Sequence, residues 1–414
     1  MKIKSLEMTN FRSFKSLKVD LNDRLNVFVG INGVGKSSIL DCIAILLSRF
    51  IDKFAVSRGK GPSFGDNDIA NGEKNLAAEL FTVENGLEAS WKIIKSLKAI
   101  KKTESLSFMN MVTLEEKIRS HIDKESDYSL PLCVYYGVNR NIYDVSVSIR
   151  KNHDFSQLTA YDQALTGNHN DFKLFFEWFR DREDYENEIV RENRSYHDQQ
   201  LAAIRSAIET FTGFSELKVK RETPRLEVKK GDQLFDLRQL SEGEKCFLAL
   251  IGDLARRLAI ANPGMPDPLK GEGVVLIDEI DLHLHPSWQS IVIPKLSKVF
   301  PSCQFIISTH SPVVINQVKP EDLFVLTNKS GYSELVRPEE SYGKNADRVL
   351  EDIMGVSARP IHIENELSLL FEKIERKDLP NAKKQLSHLR GEIKNDPELL
   401  RAEMLIRRKE ILGK

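Results

Sequence analysis

The chain has 414 residues, with 60 Lys and Arg against 61 Asp and Glu, 41% hydrophobic residues and 29% charged ones. That length admits two or three domains around a sizeable core, and the net charge of -1 excludes a polybasic binder held on nucleic acid or lipid by its overall field. No apolar run approaches the ~20 residues that span a bilayer, and the first residues alternate like a strand instead of forming a secretion signal; a cytoplasmic protein without membrane contact is expected.

Residues 3–8, 17–21 and 25–29 read as three short strands, the last followed by a Gly-rich turn and an apolar helix over 38–50. The turn, Gly30-Ile31-Asn32-Gly33-Val34-Gly35-Lys36-Ser37, fits G-x-x-x-x-G-K-[ST] between a strand and a helix, the context a phosphate-binding loop requires. Its backbone N–H groups and the helix N-terminus suit phosphates, Lys36 suits the β/γ-phosphate charge, and the Ser37 hydroxyl suits Mg²⁺. Residues 52–75, rich in Gly, Asp, Asn, Ser and Pro, read as a surface loop, and strands over 76–83 and 88–94 follow. Lys92, Lys95, Lys98, Lys101 and Lys102 recur there at near-helical spacing, as a solvated face or as phosphate contacts with DNA.

From 170 to 212 the chain is polar and helix-periodic, with Phe172, Phe175, Phe176 and Phe179 on one stripe and Trp178 beside it. The stripe reads as the core face of a helical arm or, alternatively, as a partner-docking groove. Strands return at 217–219, 226–228 and 234–237, where Lys218, Lys220, Arg221, Arg225, Lys229 and Lys230 crowd a hairpin that is again either solvated or DNA-facing. A helix over 242–260 opens with Leu240-Ser241-Glu242-Gly243-Glu244-Lys245, in which Ser241 and Glu244 have capping-box spacing and the helix N-terminus offers an anion site.

The apolar strand over 274–277 ends in Asp278 and Glu279. With a phosphate loop upstream, the first acid suits a Mg²⁺ shell and the second suits the attacking water. A helix over 287–300, a strand over 304–308 and strands near 323–326 and 333–336 complete an alternation that argues for a parallel α/β core. After about residue 341 the chain is helical and charged, with Pro360, Pro380 and Pro397 at helix starts or breaks. Cys42, Cys133, Cys246 and Cys303 are scattered, which predicts buried thiols and neither zinc site nor disulfides.

The Gly30 to Ser37 loop, the Ser241 segment and Val274-Val275-Leu276-Ile277-Asp278-Glu279 together resemble ABC-type ATPases of the SMC, RecF and OLD-like branch, over about residues 1–50 and 215–330. The resemblance implies an α/β fold: an ABC-ATPase head (a P-loop NTPase) with an inserted helical arm and a helical C-terminal tail. The head would occupy 1–168 and 215–340, the arm 169–214, and an assembly or partner-docking region 341–414. ATP and Mg²⁺ are the implied cofactors, with Ser37 and Asp278 on the metal and Glu279 and His310 catalytic. Nucleotide contacts are implied for Arg12, Asn32, Gly33, Gly35, Lys36, Ser37, Ser38, Ser241, Gly243, Glu244 and Asp281. Arg12 stands in Asn10-Phe11-Arg12-Ser13-Phe14, which resembles the family's N-F-R-x-F opening; Asp281 matches the D-loop, and His310 in Ser308-Thr309-His310-Ser311-Pro312 matches the switch histidine. His283 and His285 could suggest a metal site, yet D-E-x-D-x-H-L-H-P is a common family variant. The strand ending at Asn139 and Arg140 lies where the Q-loop belongs but carries no Gln; Asn139, Arg140, Gln157 and Gln163 are the candidates.

A signature segment that serves a second subunit's nucleotide implies a homodimer or higher homo-oligomer. The interval between Ser37 and Ser241 is too short for a long coiled coil, and no Toprim or HNH pattern is visible. The ATPase-only form, the Phe176 to Phe179 segment and the tail Asp347-Arg348-Val349-Leu350-Glu351-Asp352-Ile353-Met354-Gly355-Val356 look most like Septu-type or retron-associated antiphage defence ATPases. That implies a regulatory ATPase controlling a PtuB-like HNH endonuclease partner. Alternatives are a RecF-like, ATP-dependent DNA-binding repair protein that clamps DNA with the basic clusters, and a slow ATP sensor acting as a scaffold.

Overall fold

The computed structural model describes residues 1–53, 61–97, 104–124, 128–139, 156–167, 171–222, 225–329 and 331–412. Chain contacts divide it into two units, Met1–Lys344 and Asn345–Lys414. In chain order the first contains β1 (Lys2–Phe11), β2 (Phe14–Asp20), β3 (Leu25–Gly30), α1 (Lys36–Ile51), β4 (Asn75–Glu84), β5 (Leu87–Ser96), β6 (Glu104–Met109), α2 (Met111–Lys124), β7 (Leu132–Tyr136), α3 (Asp171–Glu192), α4 (Gln199–Thr212), β8 (Ser215–Lys220), β9 (Arg225–Lys230), β10 (Gln233–Asp236), α5 (Glu242–Ala261), β11 (Gly273–Ile277), α6 (Pro286–Gln289), α7 (Val292–Val299), β12 (Cys303–Ser308), α8 (Pro312–Ile315), β13 (Leu323–Lys329) and β14 (Tyr332–Val336).

The central sheet has the order β14-β13-β3-β12-β11-β7. Its strands β13, β3, β12, β11 and β7 are parallel, and β14 is antiparallel at the edge. Every residue of β3, β7, β11 and β12 is buried, as expected of parallel strands covered on both faces. Because β12 lies between β3 and β11, the Gly-rich turn, the Asp278-Glu279 pair and His310 all leave the same C-terminal edge of adjacent strands. In open α/β sheets that edge is where ligands bind.

A second, antiparallel sheet in the order β2-β1-β4-β5-β6 is tied to α1. Trp91 of β5 is fully buried, donates from Nε1 to the Leu46 carbonyl at 2.7 Å and stacks on Phe50. The third sheet is the small meander β10-β9-β8.

Several expectations change on folding. Lys92 and Lys95 lie on strand β5, paired with Glu79 and Asp66, so their spacing is not that of a helix; Lys98, Lys101, Lys102 and Arg140 fall outside the described residues. Periodicity did not reveal β6 and α2 after that strand. The loop after α1 is not wholly superficial, since Phe64, Ile69 and Ala70 are buried and Phe64 meets Phe11 edge-on. The arm is two helices, because Asp198 caps α4 by accepting from the Gln200 and Leu201 amides, both at 3.0 Å. Phe175, Phe176, Phe179 and Trp178 are buried, and the Phe175 ring closes on Gly252 of α5, which makes the stripe a core face. The helix expected over 287–300 breaks into α6 and α7.

The second unit holds α9 (Ala346–Asp352), α10 (Ile361–Glu375), α11 (Leu379–Glu392) and α12 (Pro397–Leu412). Ile363, Leu367, Leu370, Ile374, Leu386, Leu389 and Ile406 belong to a core of its own. Pro380 stands in the first turn of α11 and Pro397 opens α12, positions where the missing N–H costs nothing. Among the described residues no helix is long and apolar enough to cross a membrane, no His, Cys, Asp and Glu cluster could hold a metal, and all four cysteines are buried and free.

Candidate functional site

The site starts where β3 runs out at Gly30. Gly35, with φ at 102°, turns the loop into α1; a Cβ there would lie 2.6 Å from the Phe14 ring, so neither its conformation nor its surroundings admit a side chain. Asn32 and Gly33 form the exposed rim, and Ser37 and Ser38 are half-buried on the first turn of α1. That turn carries no acidic residue, leaving the positive end of the helix dipole uncompensated. Lys36 is only 5% exposed, and its ammonium curls back to the carbonyls of Gly30 and Ile31, both at 3.0 Å. Burial lowers its pKa, while Glu279, Asp278 and Asp281 act in the opposite direction, which brings three carboxylates to bear on the loop lysine.

Those carboxylates are placed by the exits of β11 and β12. The Ser308 hydroxyl donates to Asp278 Oδ1 and accepts from the Glu279 amide at 2.8 Å, and the Asp278 amide donates to the Tyr136 carbonyl at 2.8 Å. Asp278 is buried and Glu279 is half-buried. Glu279 takes φ of 47°, a left-handed conformation uncommon outside glycine and concentrated at functional sites. Asp281 Oδ1 accepts from Thr309 Oγ1 at 2.5 Å and from the His310 amide at 3.3 Å, which locks the turn after β11 to the exit of β12. Burial and then Lys36 lower the His310 pKa against the pull of Glu279, Asp281 and Asp278, which favours the neutral imidazole. The Ser37 hydroxyl and the Asp278 carboxylate are hard oxygen donors of the kind Mg²⁺ accepts alongside nucleotide phosphates, and the donor set fits that ion.

Arg12, also left-handed at φ 48°, reaches the same helix start from the antiparallel sheet. Its Nη1 donates to Asp41 Oδ2 at 2.6 Å and to Ser38 Oγ at 3.3 Å, and its Nε donates to Asp68 Oδ1 at 2.8 Å. Sequence reasoning missed Asp41 and Asp68, and it gave Ser308 and Thr309 no role beyond standing in the motif of His310. Only Asp41 left a signal: it is the single acid in the apolar run of α1, one turn after Ser38.

Ser241, Gly243 and Glu244 are not brought to this loop. Ser241 is the exposed N-cap of α5 in a full capping box: its amide donates to Glu244 Oε2 at 2.9 Å, and its Oγ accepts from the Glu244 amide at 3.3 Å. Glu244 Oε1 accepts from Lys230 at 2.6 Å. A Cβ on Gly243 would lie 2.1 Å from the His283 carbonyl, so this glycine lets α5 approach the turn that carries Asp281. Among the described residues no hydrogen bond or ion pair joins the three to the Gly30 to Ser37 loop.

His283 and His285 are exposed, and His285 caps α6 through Ser287. Of the Q-loop candidates, Asn139 is exposed just beyond β7, Gln157 is committed to the Ala261 carbonyl at 2.7 Å, and Gln163 stands on an exposed left-handed turn. The hairpin cations are largely offset: Arg221 pairs with Glu183 and Asp184, Arg225 with Glu227 and Asp236, Lys229 with Glu216, and Lys230 with Glu244. Lys218 is exposed, opposite Glu227.

A Gly-rich loop between a parallel strand and a helix, an acid pair at the exit of the next strand but one and a histidine just past the strand between them define a P-loop ATPase. The chain belongs to the AAA-domain family, whose model matches residues 5–218, more than half of its length; a second model, described as "AAA domain, putative AbiEii toxin, Type IV TA system", matches residues 140–316. It is 29% identical to the Retron Vc95 probable ATPase of Vibrio cholerae serotype O1 biovar El Tor, over 91% of this chain and 83% of that one. It is 27% identical to the Septu protein PtuA of Bacillus thuringiensis, over 87% of each. The SMC head domain from Thermotoga maritima superposes with a TM-score of 0.45 at 20% identity, over 82% of this chain and all of that one.

Proposed function

We propose that this ATPase binds ATP with Mg²⁺ at the Gly30 to Ser37 loop, closes as a homodimer around the nucleotide and thereby regulates a separate HNH nuclease in antiphage defence. The observation that carries the reading is the split between two helix N-termini. Lys36, Asp278, Glu279 and His310 converge at the α1 N-terminus, while Ser241 caps an exposed α5 N-terminus whose contacts run elsewhere. An exposed helix end of that kind suits a phosphate presented by a second copy.

In this reading Lys36 leaves the Gly30 and Ile31 carbonyls for the β/γ-phosphates, and Asn32, Gly33, Gly35 and Ser38 line the loop around them. A magnesium ion held by Ser37 and Asp278 would supply charge neutralisation at the phosphates. Glu279 orients the attacking water and accepts its proton. His310 offers a ring N–H to the γ-phosphate, and Asp281 sets its backbone. Ser241, Gly243 and Glu244 act on the partner copy's nucleotide. The defence role is carried over from the retron and Septu relatives, and the salt-bridged state of the basic hairpin weighs against a DNA clamp.

Glu279→Gln tests the chemistry. ATP binding should persist while turnover falls about 10²- to 10⁴-fold, and the trapped protein should elute as a dimer with ATP by light scattering. Unchanged turnover would remove Glu279 from the mechanism, and a monomer at saturating ATP would remove the sandwich. Co-expression with an adjacent HNH reading frame, followed by native mass measurement, tests the partner; absence of a joint complex sinks that assignment.

A further inference from the structure

Strand β7 presents two neighbouring tyrosines to opposite faces of the central sheet. On one face the Tyr136 hydroxyl donates to Asp253 of α5 at 2.9 Å. On the other, the buried Tyr135 reaches α1, where its hydroxyl donates to Asp41 Oδ1 at 2.8 Å. The second oxygen of Asp41 holds Arg12 Nη1 at 2.6 Å, and that nitrogen also meets Ser38. Strand β7 is itself in register with β11, Tyr135 opposite Leu276 and Tyr136 opposite Ile277. The Tyr135 hydroxyl therefore links the strand beside Asp278 to the acid that grips Arg12.

The division of the Asp41 carboxylate matters chemically. A carboxylate with both oxygens available takes an arginine in a bidentate fork and uses up its outward donors. Here the phenol occupies one oxygen, so Asp41 holds Arg12 through Nη1 alone. Asp68 takes Nε, and among the described residues no acceptor bonds Nη2. The guanidinium is thus fixed in place beside Ser38 with a donor edge still to be used, which is what a phosphate oxygen requires.

We propose that Tyr135 is a positioning residue for nucleotide binding: by occupying one oxygen of Asp41 it fixes Arg12 beside Ser38 with Nη2 directed to a nucleotide phosphate. The inference rests on the reading of the Gly30 to Ser37 loop as the ATP site. Tyr135→Phe keeps the packing and removes only the hydroxyl. It should raise KM for ATP about three- to tenfold, the scale of one ordinary hydrogen bond, with kcat held within about twofold. In an Arg12→Ala background the same substitution should add nothing, a result that a merely structural role would not produce. Asp41→Asn, which weakens the same grip, should raise KM in the same direction and decides the matter if Tyr135→Phe fails to fold.

An unchanged KM in Tyr135→Phe, or an equal rise in the Arg12→Ala background, overturns the proposal. Lys36→Ala separates it from the underlying reading. Loss of ATP binding in Lys36→Ala beside a wild-type KM in Tyr135→Phe removes only the positioning role, whereas retained ATP affinity in Lys36→Ala removes the site and the proposal with it.

Discussion

Lys36 carries its charge in a place that disfavours it, with two loop carbonyls as hydrogen-bond partners. An anion in the loop relieves that state, so ligand binding and folding stability should be coupled through this one side chain. Lys36→Met removes a buried charge without removing much volume. Its melting temperature without nucleotide should be no lower than that of the wild type, while the stabilisation expected for the wild type from saturating Mg-ATP, about 2.7 kcal/mol at a hundredfold excess over Kd, should vanish. Scanning calorimetry reads both, and a large drop in the nucleotide-free melting point would refute the account of Lys36. His310 supplies a pH signature. Its folded pKa is lowered from 6.5, so the folded state disfavours its protonation. The contribution to stability is therefore complete above pH 6.5 and is lost as the pH falls below it. Denaturation curves between pH 7.5 and pH 5 should show a decline that His310→Asn reduces; an identical decline in the variant would assign it to other groups. Lys36 and His310 could be picked out from their motifs, because loop chemistry depends on residues adjacent in the chain. Asp68 and Tyr135 could not, and Asp41 showed only as the lone acid of α1 with no partner assigned, because the chain must fold before Arg12 and Tyr135 share a carboxylate.

At the scale of elements, α5 does two jobs. Its N-terminus is the Ser241 end, and its body is pinned to β7 by a buried charge cluster. Asp253 accepts from Tyr136 and from Arg256 and Arg257, and Arg257 goes on to the Ala160 and Asp162 carbonyls at 2.8 and 3.0 Å. Burial alone would push the Asp253 pKa up, but Arg257 and Arg256 outweigh it and hold the carboxylate well below its usual range. Asp253→Asn leaves two buried guanidinium groups short of their counter-charge, and should cost about 3–5 kcal/mol. Its denaturant midpoint should fall accordingly, whereas a shift under 1 kcal/mol would mean that water reaches the cluster. The helix itself was legible, from its capping box and apolar period. Its anchor was not, since polar residues inside an apolar stretch carry no label of what they will face. The Lys92 and Lys95 spacing shows the opposite failure: a helix-like interval arose on a strand whose register is set by pairing with β4.

For the whole molecule, the two units each have a core, and only Met1–Lys344 contains the phosphate loop. Thermal unfolding should therefore show two transitions, with Mg-ATP raising the one that belongs to Met1–Lys344 and leaving the other in place. A single transition that moves as a whole with ATP would show that the units unfold as one cooperative body. By itself the sequence determined the class of chemistry and the parallel core: the G-x-x-x-x-G-K-S loop, the acid-ended strand and the Ser-Thr-His exit are short segments whose chemistry follows from neighbours in the chain, and fully buried strands announce themselves as unbroken apolar runs. Tertiary structure alone decided which residues hold Arg12, how Asp281 locks to Thr309, that Gly243 is required by the His283 carbonyl, and that the loop-side charges and the Ser241 helix end are separate. Those features arise from contacts between segments tens to hundreds of residues apart, and chain order does not encode which of the available partners the fold will bring together.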